Sequence, residues 1–315
     1  KRRKMDVLDQ VISDDYAIYN GDSCEVIKGF EDESVHYIIY SPPFDSLYTY
    51  SNSDRDMGNS DKGEFMVHFE FLARELFRVL KSGRLMSFHC MNLPYSKFKD
   101  GYIGIRDFRG ELIKLFESVG FIFHSEVCIW KDPVVAQQRT KALGLLHKQI
   151  VKDSAMCRQG IADYLVTMRK PGDNAEPISG GFDHYAGDGA PITAKFDETK
   201  GNLNRGSIEV WQRYASPVWM DINQSNTLSL KGSRDDNDEK HICPLQLDVI
   251  ERALQLWSNE NDIVFTPFLG IGSEVYQALK MRRRGIGIEL KPSYFNVARK
   301  NCELALRERG EQSLF

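Results

Sequence analysis

The sequence predicts an α/β fold: a doubly wound, mostly parallel sheet with a long region inserted between its two halves. Three observations lead there. Short β-branched and aromatic runs alternate with helical periodicities over most of the 315 residues, a pattern that places parallel strands under a cover of helices. The run from Ser34 to Tyr40 has the composition of a strand buried on both faces. Near the C-terminal end, Ile263 to Ser273 reads as strand, glycine loop and helix start, the arrangement in which backbone amides approach a ligand.

Taken in order, Asp15 to Glu25 reads as a short strand and a turn. The Ser34 to Tyr40 strand stops at Ser41-Pro42-Pro43, because two prolines cannot donate to a ladder. Asp45 to Gly63 is polar and loop-like, and Glu64 to Leu80 puts Phe65, Phe69, Leu72, Leu76 and Val79 on one helical face. Gly83 is expected as the left-handed cap of that helix. A strand at Arg84 to Cys90, a helix around Arg109 to Val119 and a strand at Phe121 to Trp130 continue the alternation. Pro171 to Gly206 holds seven Gly and three Pro with little periodicity and is expected as loop. Patterning resumes with a helix at His241 to Trp257, a strand at Asp262 to Thr266, a helix at Ser273 to Arg284, a strand at Gly285 to Leu290 and a helix from Pro292 to Leu306.

Composition narrows the class. With 42% hydrophobic and 27% charged residues, 11 Pro and 24 Gly, the chain is neither disordered, collagenous nor a solenoid. Its apolar runs, such as Val35 to Tyr40, fall well short of the roughly 18 to 20 residues of a membrane span, and no signal-peptide core opens it. An intracellular protein without a membrane partner is expected. Six cysteines without a CxxC pair fit reduced, mostly buried thiols and no metal site. The net charge of −4 favours no polyanion, but Lys131 to Lys170 carries eight basic residues against three Asp. A basic segment in a slightly acidic protein marks either a phosphate-facing surface or a solvated helix face.

Two constellations carry chemistry. After the strand ending at Thr266 come Phe268, Gly270, Gly272 and Ser273, with Glu289 at the tip of the next strand, 19 positions after Gly270. An acid so placed accepts both hydroxyls of a ribose. Val275 stands where a dinucleotide fingerprint has its third Gly, so an adenosine-containing cofactor without phosphates fits better than NAD. The second constellation is Ser41-Pro42-Pro43-Phe44. The Ser41 hydroxyl and the Pro42 carbonyl can accept hydrogen bonds from an amino group, while Phe44 offers a flat face to a planar base.

Together these motifs resemble the amino-group DNA methyltransferases. Ser41-Pro42-Pro43-Phe44 is similar to that family's [D/N/S]-P-P-[Y/F] catalytic motif, and Phe268-Leu269-Gly270-Ile271-Gly272 to its FxGxG cofactor motif. Gly21-Asp22 looks like the pair that reaches the cofactor's adenine, and Lys240 to Gln246 like the stretch that opens the helix before the cofactor strand. Catalytic motif first, recognition region in the middle and cofactor motif last is similar to the beta class, as phage-borne members show it. Thr266 departs from the pattern, since members usually carry Asp before the Pro, so a hydrogen bond from that residue to the methionine end of the cofactor is not implied.

The resemblance implies a class I S-adenosylmethionine-dependent methyltransferase fold in circularly permuted order. It divides into a catalytic half at 1–130, a target-recognition insertion at 131–240 and a cofactor half at 241–315. The implied activity is site-specific methylation of a flipped base in double-stranded DNA, as in restriction-modification, within the cytoplasm of a bacterial or phage-infected cell. Ser41, Pro42, Pro43 and Phe44 are the expected catalytic residues. Asp22, Phe268, Gly270, Gly272, Ser273 and Glu289 would hold S-adenosylmethionine, with no metal. Arg139, Lys141, Lys148, Lys152 and Arg158 would meet DNA phosphates, and Trp211, Arg213, Tyr214 and Trp219 would pack in the core or read bases. Serine at the head of the motif leans towards N4 of cytosine, with N6 of adenine as the alternative. A catalytically silent DNA-binding module and a methyltransferase acting on RNA or a protein amide are the readings from other classes. A homodimer and attachment to a larger polypeptide both stay open.

Overall fold

The computed structural model describes residues 7–43, 64–95, 97–140, 146–156, 159–178, 205–229 and 244–312. Its central sheet has nine strands: β1 (Asp9–Ile12), β2 (Tyr16–Asn20), β3 (Val35–Tyr40), β4 (Leu80–Met91), β7 (Ile122–Ile129), β8 (Asp163–Arg169), β9 (Val218–Trp219), β10 (Ile263–Thr266) and β11 (Arg284–Glu289). A separate hairpin is formed by β5 (Leu93–Tyr95) and β6 (Gly104–Arg106). The central order is β1-β2-β11-β10-β3-β4-β8-β7-β9. Pairing is parallel from β2 through β11, β10 and β3 to β4, and antiparallel where β8 lies between β4 and β7.

Helices cover both faces. On one side lie α1 (Ser23–Val26), α2 (Glu64–Val79) and α4 (Phe108–Val119), whose Val26, Phe65, Phe69, Leu72, Leu76, Phe108, Leu112 and Phe116 close over Ile38, Met86, Phe88 and Phe265. The five α2 positions expected on one face are all fully buried, each contributing about 1.5–3 kcal/mol of apolar burial. On the other side α8 (Leu247–Trp257), α9 (Ser273–Lys280) and α10 (Pro292–Gln312) cover Tyr37, Ile39 and Val264 and, further along, Tyr16 and Ile18. The remaining helices are short: α3 (Lys97–Asp100), α5 (Pro133–Thr140), α6 (His147–Lys152) and α7 (Arg205–Tyr214).

The strand order reverses between β10 and β3, which are direct neighbours through Val264 opposite Tyr37 and Phe265 opposite Ile38, although more than 200 residues separate them. A crevice at such a reversal, outside the carboxyl ends of the strands, is where open α/β sheets place ligands.

Three local expectations change. Gly83 has φ +72, but it lies inside β4 and not at a helix end. Its backbone meets residues 173 and 174 so closely that a Cβ would sit 2.5 Å from the Asn174 nitrogen. Helix α8 begins at Leu247, because Gln246 is its N-cap in extended conformation and Pro244 and Leu245 lie ahead of it. The span 131–240 is more than an insertion: β8 and β9 are strands of the central sheet, and Trp219 and Ile222 are core residues. The reason is legible in β8, whose Tyr164-Leu-Val-Thr-Met168 run is apolar enough to sit between two neighbours.

Candidate active site

Five parallel strands end on one edge of the sheet, and the last residues of β2, β11, β10 and β3 bring the two constellations together. Gly21 donates its N–H to the Glu289 carbonyl at 3.0 Å, and the Asn20 amide donates to the same carbonyl at 2.7 Å. The tips of β2 and β11 are thereby fused. Asp22 caps α1 by accepting from the Cys24 N–H at 2.8 Å, so one of its carboxylate oxygens is committed to the fold and the other is left over. Ser23 donates to the Pro267 carbonyl and ties α1 to the loop after β10.

That loop runs from Pro267 to Gly272 and is shaped by two glycines with positive φ, Gly270 at +55 and Gly272 at +94. Gly272 precedes α9 and packs on Ala298, where a Cβ would meet backbone and side chain at 3.2 Å. Gly270 is the opposite case, because a Cβ there would enter open space. Both glycines serve the conformation, but only Gly270 leaves room above the backbone. Glu289 accepts from the Gly270 N–H at 2.7 Å and from the Lys291 N–H at 2.8 Å. One backbone bond falls on each carboxylate oxygen. Ser273 is buried in the first turn of α9. Phe268 is half-buried and lies parallel to Phe69 at 6.3 Å and tilted against Tyr40 at 5.8 Å. It therefore builds the wall between the two constellations.

Ser41 lies just past β3, half-buried, with Oγ 3.1 Å from Nδ1 of His89 on β4. Behind the ring, His89 Nε2 is 3.2 Å from Asp163 Oδ2, and Lys131 Nζ is 2.5 Å from Asp163 Oδ1. Burial alone would raise the Asp163 carboxyl, but His89 and Lys131 outweigh it and hold it below the usual carboxylate range. None of these three partners belongs to a motif. The available signal is Ser87 and His89, two apart in the otherwise apolar Leu85 to Met91 half of the strand, since polar residues on the buried face of a central strand need partners. Ser87 finds the Tyr37 hydroxyl at 2.7 Å and Thr167 at 2.8 Å.

The edge has room and polar groups for an adenosine-bearing cofactor. Gly270 leaves its Cβ direction open, Glu289 sets a carboxylate at the tip of β11 beside it, and the hydroxyls of Thr266 and Tyr40 are buried without a hydrogen-bond partner among the described residues. Those residues fit the group the motifs imply.

The expected phosphate contacts divide. Lys148 and Lys152 are exposed, four residues apart on one side of α6. Arg139 lies on α5, while Lys141 and Arg158, like Phe44, fall outside the described residues. At the ends of the basic segment the charges turn inward: Lys131 holds Asp163, and Lys170 donates to the Leu80 carbonyl at 2.7 Å and pairs with Glu33. Of the aromatic group, Trp219 is core and Tyr214 half-buried, with Arg252 over both rings; Trp211 and Arg213 are exposed.

A second titratable cluster occupies the opposite, amino edge. His36, Glu176 and Asp262 place ligand-capable atoms within 4.8 Å of one another. The set is closed by its own partners. The Ile263 N–H donates to His36 Nδ1 at 3.0 Å, Lys81 donates to both Glu176 oxygens, and Arg84 binds Asp262. With Nδ1 accepting, Nε2 must carry the hydrogen of the neutral ring, so it offers no lone pair to a metal. Among the described residues no helix is long and apolar enough to cross a membrane.

The sequence matches the N6/N4 methyltransferase family, described as DNA methylase, over residues 35–300. Among curated proteins it is similar to the type II methyltransferase M.BglII of Bacillus subtilis, 24% identical over 284 residues that cover 89% of this chain and 67% of the relative. Among solved structures it resembles TTHA0409, a DNA modification methylase of Thermus thermophilus complexed with S-adenosyl-L-methionine, with a TM-score of 0.64, 19% identity and coverage of 92% and 93%. The cytosine-N4-specific PvuII DNA methyltransferase superposes with a TM-score of 0.60 at 18% identity over 97% of both chains.

Proposed function

Because this chain belongs to the N6/N4 methyltransferase family of DNA methylases, we propose that its carboxyl edge methylates the 4-amino group of a cytosine swung out of duplex DNA. The family carries the reaction class: the chain is an S-adenosylmethionine-dependent DNA methyltransferase acting on an exocyclic amino group. The observation that carries the residue assignment is the pairing of β10 with β3, which sets the Gly270–Glu289 recess beside Ser41. Asp22, Phe268, Gly270, Gly272, Ser273 and Glu289 hold the cofactor, and the Glu289 carboxylate receives the ribose hydroxyls. S-adenosylmethionine supplies a methyl group activated by its attachment to a sulfonium.

An aromatic amine is a poor nucleophile, because its lone pair is delocalised into the ring. Ser41 Oγ and the Pro42 carbonyl accept its two N–H bonds, favour a more tetrahedral nitrogen and aim the freed lone pair. Pro43 stiffens the turn and Phe44 stacks on the base. Lys148 and Lys152, with Arg139, Lys141 and Arg158, neutralise backbone phosphates, and sequence choice falls to the rest of 131–240. The lean to cytosine rests on the serine that heads the motif and agrees with the cytosine-N4 specificity of the PvuII enzyme.

The test is mass spectrometry of nucleosides from duplex DNA incubated with the protein and methyl-labelled cofactor. Labelled 4-methylcytosine is expected. Labelled 6-methyladenine alone would overturn the choice of base, and label on neither would overturn the proposal.

A further inference from the structure

We infer that His89 and Asp163 form a proton relay behind Ser41 that removes the surplus proton of the methylated amine. This rests on the assignment of Ser41 to the target amine made above. Ser41 Oγ and His89 Nδ1 are 3.1 Å apart, His89 Nε2 and Asp163 Oδ2 3.2 Å, and Asp163 Oδ1 and Lys131 Nζ 2.5 Å. His89 and Asp163 are both over nine-tenths buried. Nε2 lies within reach of the carboxylate but outside hydrogen-bond alignment; a small ring rotation would bring it into line, as is common in sites whose bonds tighten when loaded.

The carboxylate decides the direction of the chain. Against its burial, Asp163 is kept ionised with Lys131 on its other oxygen, so in the neutral ring Nε2 carries the hydrogen that faces it and Nδ1 is left as an acceptor. The Ser41 hydroxyl then donates to Nδ1 and turns its lone pairs outward. As a nitrogen–methyl bond forms and the sulfur–methyl bond breaks, the electron pair of the broken bond stays on sulfur and the positive charge moves to nitrogen. That nitrogen releases one proton to Ser41 Oγ while the Ser41 proton passes to Nδ1. The resulting imidazolium stands against Asp163, and its proton leaves to solvent after turnover. The charge count is unchanged throughout, and no further reactant is needed.

The surroundings suit the step. From β3, His89 meets the Ser41 hydroxyl, and from β8 the Asp163 carboxylate with Lys131 behind it. Among the described residues Asp163 is its only ion-pair partner; two residues back on the same face Ser87 is held by the Tyr37 hydroxyl and Thr167, and Leu165, opposite His89 on β8, is apolar. A general base placed in this way contributes about 10²- to 10⁴-fold to a proton transfer.

The experiment follows single-turnover methyl transfer to duplex DNA at saturating cofactor across pH, alongside cofactor affinity by calorimetry and the ¹⁵N spectrum of the histidine rings. His89→Asn should slow transfer at least ~30-fold and abolish the acid limb of the pH profile, with cofactor Kd unchanged within about twofold. Asp163→Asn should slow transfer at least ~10-fold, and the wild-type spectrum should give His89 as the Nε2–H tautomer. Wild-type rate and pH profile in His89→Asn, or an Nδ1–H tautomer in the unaltered protein, would overturn the relay. If His89→Asn does not fold, Asp163→Asn and the tautomer decide alone, and a wild-type rate in Asp163→Asn overturns it. Ser41→Ala separates the two levels. Loss of transfer there with normal His89→Asn leaves the assignment of Ser41 standing without the relay, whereas full transfer in Ser41→Ala removes both.

Discussion

The protein places a histidine beside carboxylates on each edge of one sheet, two at His36 and one at His89, and the two rings differ in what occupies Nδ1. At the amino edge His36 accepts the Ile263 backbone N–H, and its acidic neighbours are met by Lys81 and Arg84. Burial pushes this imidazole below its ordinary range. Every group is spoken for, so the cluster fastens β3, β4 and β10 to the segment at Glu176. At the carboxyl edge His89 faces a serine hydroxyl whose hydrogen can move. The same residue types give a clasp where a peptide amide holds the ring nitrogen and a reactive group where a hydroxyl does.

The largest effect that would break this comparison is on the clasp. Arg84 is buried, donates to the His36 and Glu176 carbonyls and binds Asp262. Arg84→Ala leaves a buried carboxylate unpaired and should cost about 3–5 kcal/mol in denaturant unfolding, with cofactor affinity unchanged in the folded protein. A loss of cofactor affinity as large as the loss of stability would show that the two edges are not separate.

Next comes a charge the reactive edge leaves uncompensated. Glu274, buried in α9, is pushed up to about 8 by burial, against a backbone hydrogen bond that lowers it and with a smaller push from Glu289. An acid raised in the folded state stabilises fully below its unfolded value of 4.5, and that contribution is lost as pH rises towards 8. Glutamine cannot ionise. Glu274→Gln should therefore match the wild-type protein near pH 4 and exceed its stability at pH 8 to 9, by up to about 5 kcal/mol at roughly 1.4 kcal/mol per unit. Equal pH dependence in the two proteins would show that no buried charge develops at Glu274.

The smallest effect concerns the surface. Neutralising Lys148 and Lys152 should weaken DNA binding and make the slope of log affinity against log salt shallower by about one to two units. An unaltered slope would return α6 to an ordinary solvated helix.

Legibility followed the same division. The strands and helices nearest the reversal point, β3, α2, β10, α9 and β11, can be read from periodicity within a residue or two at most boundaries, because their apolar spacing is the reason they are buried. Ser41, Gly270 and Glu289 can be read because the local backbone demands them: prolines end a strand, glycines permit positive φ, and an acid closes the next strand. His89, Asp163 and Lys131 are brought together from β4, β8 and the end of β7 by antiparallel pairing, which no local spacing encodes. Lys131 and Lys170 read as surface charge for the same reason, since their acidic partners Asp163 and Glu33 are distant in sequence. Gly83 was legible as a position needing positive φ, but the close approach of Asn174 that requires it was not.

The central claim is that one half of the carboxyl edge holds the cofactor and the other acts on the base. Its most direct test measures cofactor Kd and single-turnover transfer in parallel on Glu289→Ala and Ser41→Ala. Glu289→Ala is predicted to weaken cofactor binding by at least ~10-fold, about 1.4 kcal/mol, as charge-assisted hydrogen bonds are lost. Ser41→Ala is predicted to bind cofactor normally and to lose transfer by ~100-fold or more. Normal cofactor affinity in Glu289→Ala together with full transfer in Ser41→Ala would contradict the claim.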